Sequence, residues 1–168
     1  MSNNTNYNPV VWFYDGLSKL VFGSNIKKAQ IDLLCLIPAN SKLLIVGGGT
    51  GWILEDITKL HPSSLEITYI DSSSKMIERS EKRSYASNHV EFIEASIEHY
   101  HLPDTGKLYD VIITPFIADG FSQADWQQVF TKLDKGLKAN GVWLYTDFQM
   151  NDKSLLWQRL LLKLLYLC

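Results

Sequence analysis

Gly47, Gly49 and Gly51, with Gly48 and Thr50 between them, follow directly on the apolar run Leu43-Leu44-Ile45-Val46. A strand that turns this tightly into a helix needs glycine, because a side chain would strain a positive φ or hold a ligand off the backbone. About 20 residues beyond the loop, Asp71 closes the next apolar segment, Leu65-Glu66-Ile67-Thr68-Tyr69-Ile70. A carboxylate there can accept both hydroxyls of a ribose, so loop and acid together signal nucleoside binding. Asp71 also suits the N-cap of a helix over 72–75, and the two roles are compatible. The dinucleotide form of such a loop needs a small residue where Trp52 stands, which argues against a nicotinamide nucleotide.

A second set of residues could serve as a base. Asp119 lies in the loop after the apolar run ending at Thr114, and Asp147 follows the run ending at Thr146. Asp119 is the expected catalytic carboxylate where an acceptor must lose a proton. His99 and His101 flank Tyr100 without a clear third ligand, so no metal site is expected.

These groups require a scaffold, and the hydropathy pattern supplies one. Strands are predicted over 42–46, 65–70, 90–94, 109–114 and 142–146, the last after a turn at Asn140-Gly141. Helical patterns separate them: one through Trp52, Leu54, Ile57 and Leu60, one over 73–86 carrying Met76 and Ile77, and one over 122–138 carrying Trp126, Val129, Phe130, Leu133 and Leu137. Such alternation predicts an α/β fold with a mostly parallel sheet and ligands at the carboxyl ends of its strands. Ahead of it, residues 9–37 read as helical, and the aromatic stretch Tyr7, Trp12, Phe13, Tyr14 and Phe22 suits a lid or an amphipathic helix against the sheet. The expected division is a lid segment over 1–40 and a ligand-binding α/β domain over 41–168, together one structural domain.

Composition narrows the function classes. Sixteen Lys and Arg against 18 Asp and Glu give a net charge of −2, which speaks against a nucleic-acid partner. Only Cys35 and Cys168 are present, too few for a disulfide framework, and Cys35 within Leu33–Ile37 is expected to be a buried, inert thiol. The first residues lack a signal-peptide pattern. The most apolar stretch, Leu155 to Cys168, is short and carries Arg159 and Lys163, so no membrane span is expected. A cytoplasmic protein is the expectation.

The ordered motifs resemble the class I S-adenosylmethionine (SAM)-dependent methyltransferases. Their first motif reads approximately VLDLGCGTG, and LLIVGGGTG (43–51) is similar to it. YIDSSSKMIERS (69–80), VEFIEASIEHYHLP (90–103), YDVIITPF (109–116) and LDKGLKANGVWLYTDF (133–148) resemble the segments that follow. The resemblance implies a Rossmann-like, doubly wound sheet in the order 3-2-1-4-5, helices on both faces, and SAM or S-adenosylhomocysteine (SAH) as cofactor. It implies that Gly47, Gly48, Gly49, Thr50 and Gly51 face the methionine portion and that Asp71 holds the ribose. Ser72 and Met76 would flank the adenine, with Ser96 and Ile97 along its other edge. Thr114 would lie near the sulfonium, and Tyr14-Asp15 resembles a pair in quinone-biosynthesis methyltransferases. Two departures stand out: Ile45 replaces an acidic residue, and Ser96 stands where aspartate is common. Thr114-Pro115-Phe116 differs from the Asn/Asp-Pro-Pro-Tyr segment of nucleic-acid amino-methylating enzymes, which favours a small-molecule or lipid-like acceptor. The alternatives are a non-catalytic binding or assembly module on the same fold and a nucleotide-dependent oxidoreductase.

Length completes the reading. Five strands are used by residue 148, whereas the family's sheet has two more. The chain is therefore expected to be a C-terminally truncated methyltransferase that ends in a Leu-rich helix. An open edge at strand five beside that helix predicts a homodimer or larger assembly.

Overall fold

The computed structural model describes residue 28, residues 30–103 and residues 108–147, apart from the side chain of Asp119. The lid aromatics, including Tyr14, and the Leu-rich C-terminal segment lie outside the described residues.

The elements run β1 (Lys42–Val46), α1 (Trp52–Leu60), β2 (Ser63–Asp71), α2 (Ser74–Ser80), β3 (Ser87–Glu94), β4 (Tyr109–Pro115), a 3₁₀ turn (Ala118–Gly120), α3 (Gln123–Gly136) and β5 (Leu137–Thr146). The five strands form one sheet in the order β3-β2-β1-β4-β5, with every pairing parallel. Central β1 is buried from Leu43 to Val46, as expected of a strand covered on both faces. Leu43 and Ile45 pack with Ile53, Leu54 and Ile57 of α1, whereas Leu44 and Val46 pack with Val129 and Leu133 of α3. Right-handed crossovers account for this arrangement: the chain winds outward from β1 in both directions, so helices land on opposite faces. The winding direction reverses between β1 and β4, and sheets of this kind bind ligands outside the carboxyl ends of the strands at such a reversal.

Three local readings need correction. First, α2 ends at Ser80, not at 86. Strand β3 already starts at Ser87, and Ala86, at φ 48, turns the chain out of helical geometry. Asn88 anchors this early start: its Oδ1 accepts from the Leu65 N–H at 3.0 Å and its Nδ2 donates to the His61 carbonyl at 2.7 Å. Second, Asn140-Gly141 is a bulge inside β5, not a turn before it. Leu137 pairs with Tyr109 and pairing resumes with Val142 opposite Val111. An ion pair between Lys138 and Asp110, at 2.7 Å, spans the irregularity. Third, Cys35 is exposed, its Sγ 3.2 Å from the Asp32 carbonyl. Leu34 and Ile37 occupy the inward face of that segment, which turns Cys35 and Leu36 outward. Among the described residues no helix is long and apolar enough to cross a membrane.

Candidate functional site

The pairing registers set Val46 beside Ile70, Asp71 beside Glu94, and Ile45 beside Ile113. The carboxyl ends of β1, β2, β3 and β4 therefore meet at one level. The Gly47–Gly51 turn leaves β1 there and feeds α1, whose N-cap is Gly51.

The turn is tied down at several points. The Gly47 N–H donates to the Ile70 carbonyl at 2.8 Å. The Gly49 N–H donates to Asp71 Oδ2 at 3.0 Å, and the Tyr69 hydroxyl donates to the Gly49 carbonyl at 3.1 Å. Arg83 Nε donates to the Thr50 carbonyl at 2.9 Å while its Nη1 pairs with Glu55 at 3.3 Å. At Gly49 the turn is open: a Cβ there would meet no atom within 4 Å.

Asp71 sits at the end of β2, and its second oxygen accepts from the Ser73 N–H at 3.0 Å. The α2 N-cap position belongs to Ser73, so Asp71 serves the helix start from two residues upstream. Burial pushes the Asp71 carboxyl up to about 6, against the opposing pull of the Ser73 and Gly49 N–H groups. Each carboxylate oxygen has capacity for a further donor, so the group can still take a pair of hydroxyls.

Ser72 is exposed beside Asp71, and Met76 is buried on α2. The Ala95 N–H donates to the Asp71 carbonyl at 3.0 Å, which brings the loop after β3 beside the acid. In that loop Ser96 donates to Glu98 at 2.8 Å, and Ile97 is buried against the α3 side of the sheet. Thr114 is fully buried, its hydroxyl accepting from Trp143 Nε1 at 2.9 Å. Asp119 lies in the 3₁₀ turn after β4, and its side chain is outside the described set. Asp147 accepts from the Tyr145 hydroxyl at 2.8 Å. Among the described residues no group of three or more His, Cys, Asp or Glu could hold a metal ion. Ile45, which stands where the resemblance has an acid, is fully buried in the core that β1 shares with α1.

Sequence reasoning missed four contributors. Tyr69 reads as core from its alternation in β2, but its bond to the turn has no sequence signal. Arg83 carries no signal either. Phe116 adopts φ 53, a costly geometry for a bulky residue, directly after β4, and its N–H donates to the Thr146 carbonyl at 2.8 Å. The fourth is Lys132 of α3, whose ammonium donates to the carbonyls of Ile97, Glu98 and Tyr100 at 2.8, 2.7 and 3.1 Å. It holds the loop after β3 in place. Partial burial lowers its pKa, and Glu98 acts in the opposite direction. Lys132→Met is expected to cost about 2 kcal/mol, because three carbonyls lose a charged donor. Urea unfolding checks this, and an unchanged midpoint would show the loop held by other contacts.

A family model described as a methyltransferase domain matches residues 43–141. Malonyl-[acyl-carrier protein] O-methyltransferase of Halalkalibacterium halodurans is 30% identical over 107 residues, 63% of this chain and 38% of that protein. The Bacillus cereus protein of the same name is 33% identical over 110 residues, 66% of this chain and 38% of its own length. The match thus spans well under half of each curated relative. Among solved structures, a DhpI–SAM–HEP complex superimposes with a TM-score of 0.67 at 17% identity, over 94% of this chain and 67% of that one. Phosphoethanolamine N-methyltransferase 1 of Haemonchus contortus, in complex with phosphoethanolamine and SAH, gives 0.63 at 14% identity, over 84% and 32%. These structures share the fold, and the family match covers more than half of the chain. With the glycine turn, its acid and the sheet order in place, the chain belongs to the class I SAM-dependent methyltransferase family.

Proposed function

We propose that the chain binds SAM at the carboxyl end of β1 and transfers its methyl group to a small-molecule or lipid-like acceptor. The observation that carries this reading is the bond between the Gly49 N–H and Asp71, with open space over Gly49. It joins a bare backbone surface to a carboxylate able to take two ribose hydroxyls. The open turn admits the methionine portion against backbone, and the N-terminus of α1 favours its carboxylate. When bound, the cofactor supplies a methyl group on a positively charged sulfur. The protein's part is to orient that group for in-line attack and to exclude water, since positioning supplies much of the acceleration in such a displacement.

Phe116 and Ile117 stand at the β4 end of the site. Ile117 presses on the turn so closely that its Cγ2 lies 2.2 Å from where a Cβ on Gly47 would be. An apolar wall at that point suits an apolar acceptor, with Asp119 as the base where one is required. The name of the curated relatives specifies O-methylation of a malonyl group on acyl-carrier protein, which supports the lipid-like end of the range. A cytoplasmic setting goes with this reading, because an exposed thiol such as Cys35 stays reduced there. Calorimetric titration with SAM and SAH tests the proposal. Saturable binding is expected, and none at millimolar ligand would sink it.

Self-association belongs to the same proposal. Among the described residues β5 is an edge strand, and Tyr145 on it and Phe130 on the neighbouring α3 are 47% and 43% exposed. Light scattering of the 168-residue chain is expected to give a dimer or larger. A monomer at high concentration would refute it.

A further inference from the structure

We infer that Tyr69 is a positioning residue for the cofactor turn, and that Gly48 is glycine because the Tyr69 phenol fills the place of its side chain. The inference rests on the SAM-binding reading above. Tyr69 lies on β2 two residues before Asp71 and is fully buried on the α1 face of the sheet. A Cβ built on Gly48 would lie 2.3 Å from its hydroxyl oxygen, 2.4 Å from Cζ and 2.5 Å from Cε2. The ring has little room to swing away, because Phe92 packs on it at 5.3 Å between centroids within the same core. The family motif VLDLGCGTG has cysteine where this chain has Gly48, and here a side chain of any size at that position would run into the Tyr69 phenol.

The two faces of the turn are thus unlike. Above Gly49 there is open space, and behind Gly48 there is a phenol. Gly49 is held at both of its polar backbone groups by β2: its N–H by Asp71 and its carbonyl by Tyr69. The residue that presents bare backbone to the ligand is therefore registered against the carboxylate that would take the ribose. Burial holds the Tyr69 hydroxyl well above its usual pKa, so it stays a donor.

The test uses Tyr69→Phe, which keeps the ring and removes the hydroxyl. SAH is titrated far below the unfolding temperature, with circular dichroism confirming a folded chain. The dissociation constant is expected to rise about fivefold, the ordinary effect of one lost hydrogen bond. A merely structural hydroxyl would lower the melting temperature and leave that constant unchanged. Gly48→Ala is then compared in the Tyr69 and Tyr69→Val backgrounds. It is expected to lower the melting temperature by several degrees in the first and to be tolerated in the second. Equal tolerance in both would overturn the packing claim. An unaltered constant in Tyr69→Phe, with SAH bound normally by the parent chain, would overturn the positioning role alone. If the parent chain binds no SAH, the cofactor reading falls and the positioning role falls with it.

Discussion

Asp71→Asn is expected to weaken SAH binding by about 30- to 100-fold, and to abolish two opposing pH dependences that the parent chain should show. A hydrogen bond to a charged acceptor contributes about 1.5–3 kcal/mol, and the amide keeps only one oxygen for the work of two. That oxygen can serve the Ser73 N–H, which leaves an NH₂ group facing the Gly49 N–H where Asp71 now accepts at 3.0 Å. The pH behaviour follows from the carboxyl standing at about 6 against an ordinary 3.8. Between those values the folded chain holds a proton that the unfolded chain has released, so stability falls as pH rises. Above 6 the cost is complete, about 3 kcal/mol at 1.36 kcal/mol per unit. Ligand binding runs the other way, because ribose hydroxyls donate to the ionised form. Affinity should rise up to about tenfold per pH unit below 6 and level off above it. Urea unfolding and SAH titration across pH 4.5–7.5, with the Asn variant alongside, check both slopes. Parallel rather than opposite trends would show that Asp71 does not hold the ligand.

Gly51→Ala is expected to be the most destabilising single methyl in the turn. Gly51 has φ 74, and its Cβ would lie 2.6 Å from Ser80 Cβ and 2.7 Å from Ser80 Cα. Backbone of α2 cannot give way as the end of a side chain can. Left-handed strain of about 1–2 kcal/mol adds to overpacking of about 1–3 kcal/mol. At about 2–4 °C per kcal/mol for a domain of this size, the melting temperature should drop by roughly 10 °C. Gly49→Ala is the informative contrast. It shares the left-handed geometry, at φ 62, but meets no atom within 4 Å. It should cost only the strain, about 1–2 kcal/mol, yet block the ligand surface. Calorimetric melting and SAH titration of the pair separate folding from binding. Equal melting temperatures would show that α2 does not close on the turn as described.

The parts of this protein legible along the chain are those decided by neighbouring residues. Leu43–Val46 reads as a buried strand because a strand covered on both faces must be apolar throughout. Gly47–Gly51 reads as a tight turn because only glycine tolerates the backbone required. The acid at the end of the next strand and the alternation of strand and helix follow from the same local rules, and the ordered motifs extend them to the sheet order. Other features depend on partners far along the chain. Residue 80 ends α2 because Asn88 anchors β3 early. The bulge at Asn140-Gly141 lies within β5 because Leu137 already pairs with Tyr109. Cys35 faces outward because Leu34 and Ile37 fill the inward positions. The bonds from Tyr69, Arg83 and Lys132 to distant carbonyls leave no periodic trace, since each needs only one suitable side chain at one place. The raised pKa of Asp71 is of the same kind. Sequence by itself determined that this chain makes an α/β sheet with a glycine turn followed by an acid, the pattern expected of a nucleoside site. Tertiary structure alone decided how firmly the turn is held and how strongly the acid keeps its proton, because burial and desolvation are set by atoms that meet only when the strands assemble.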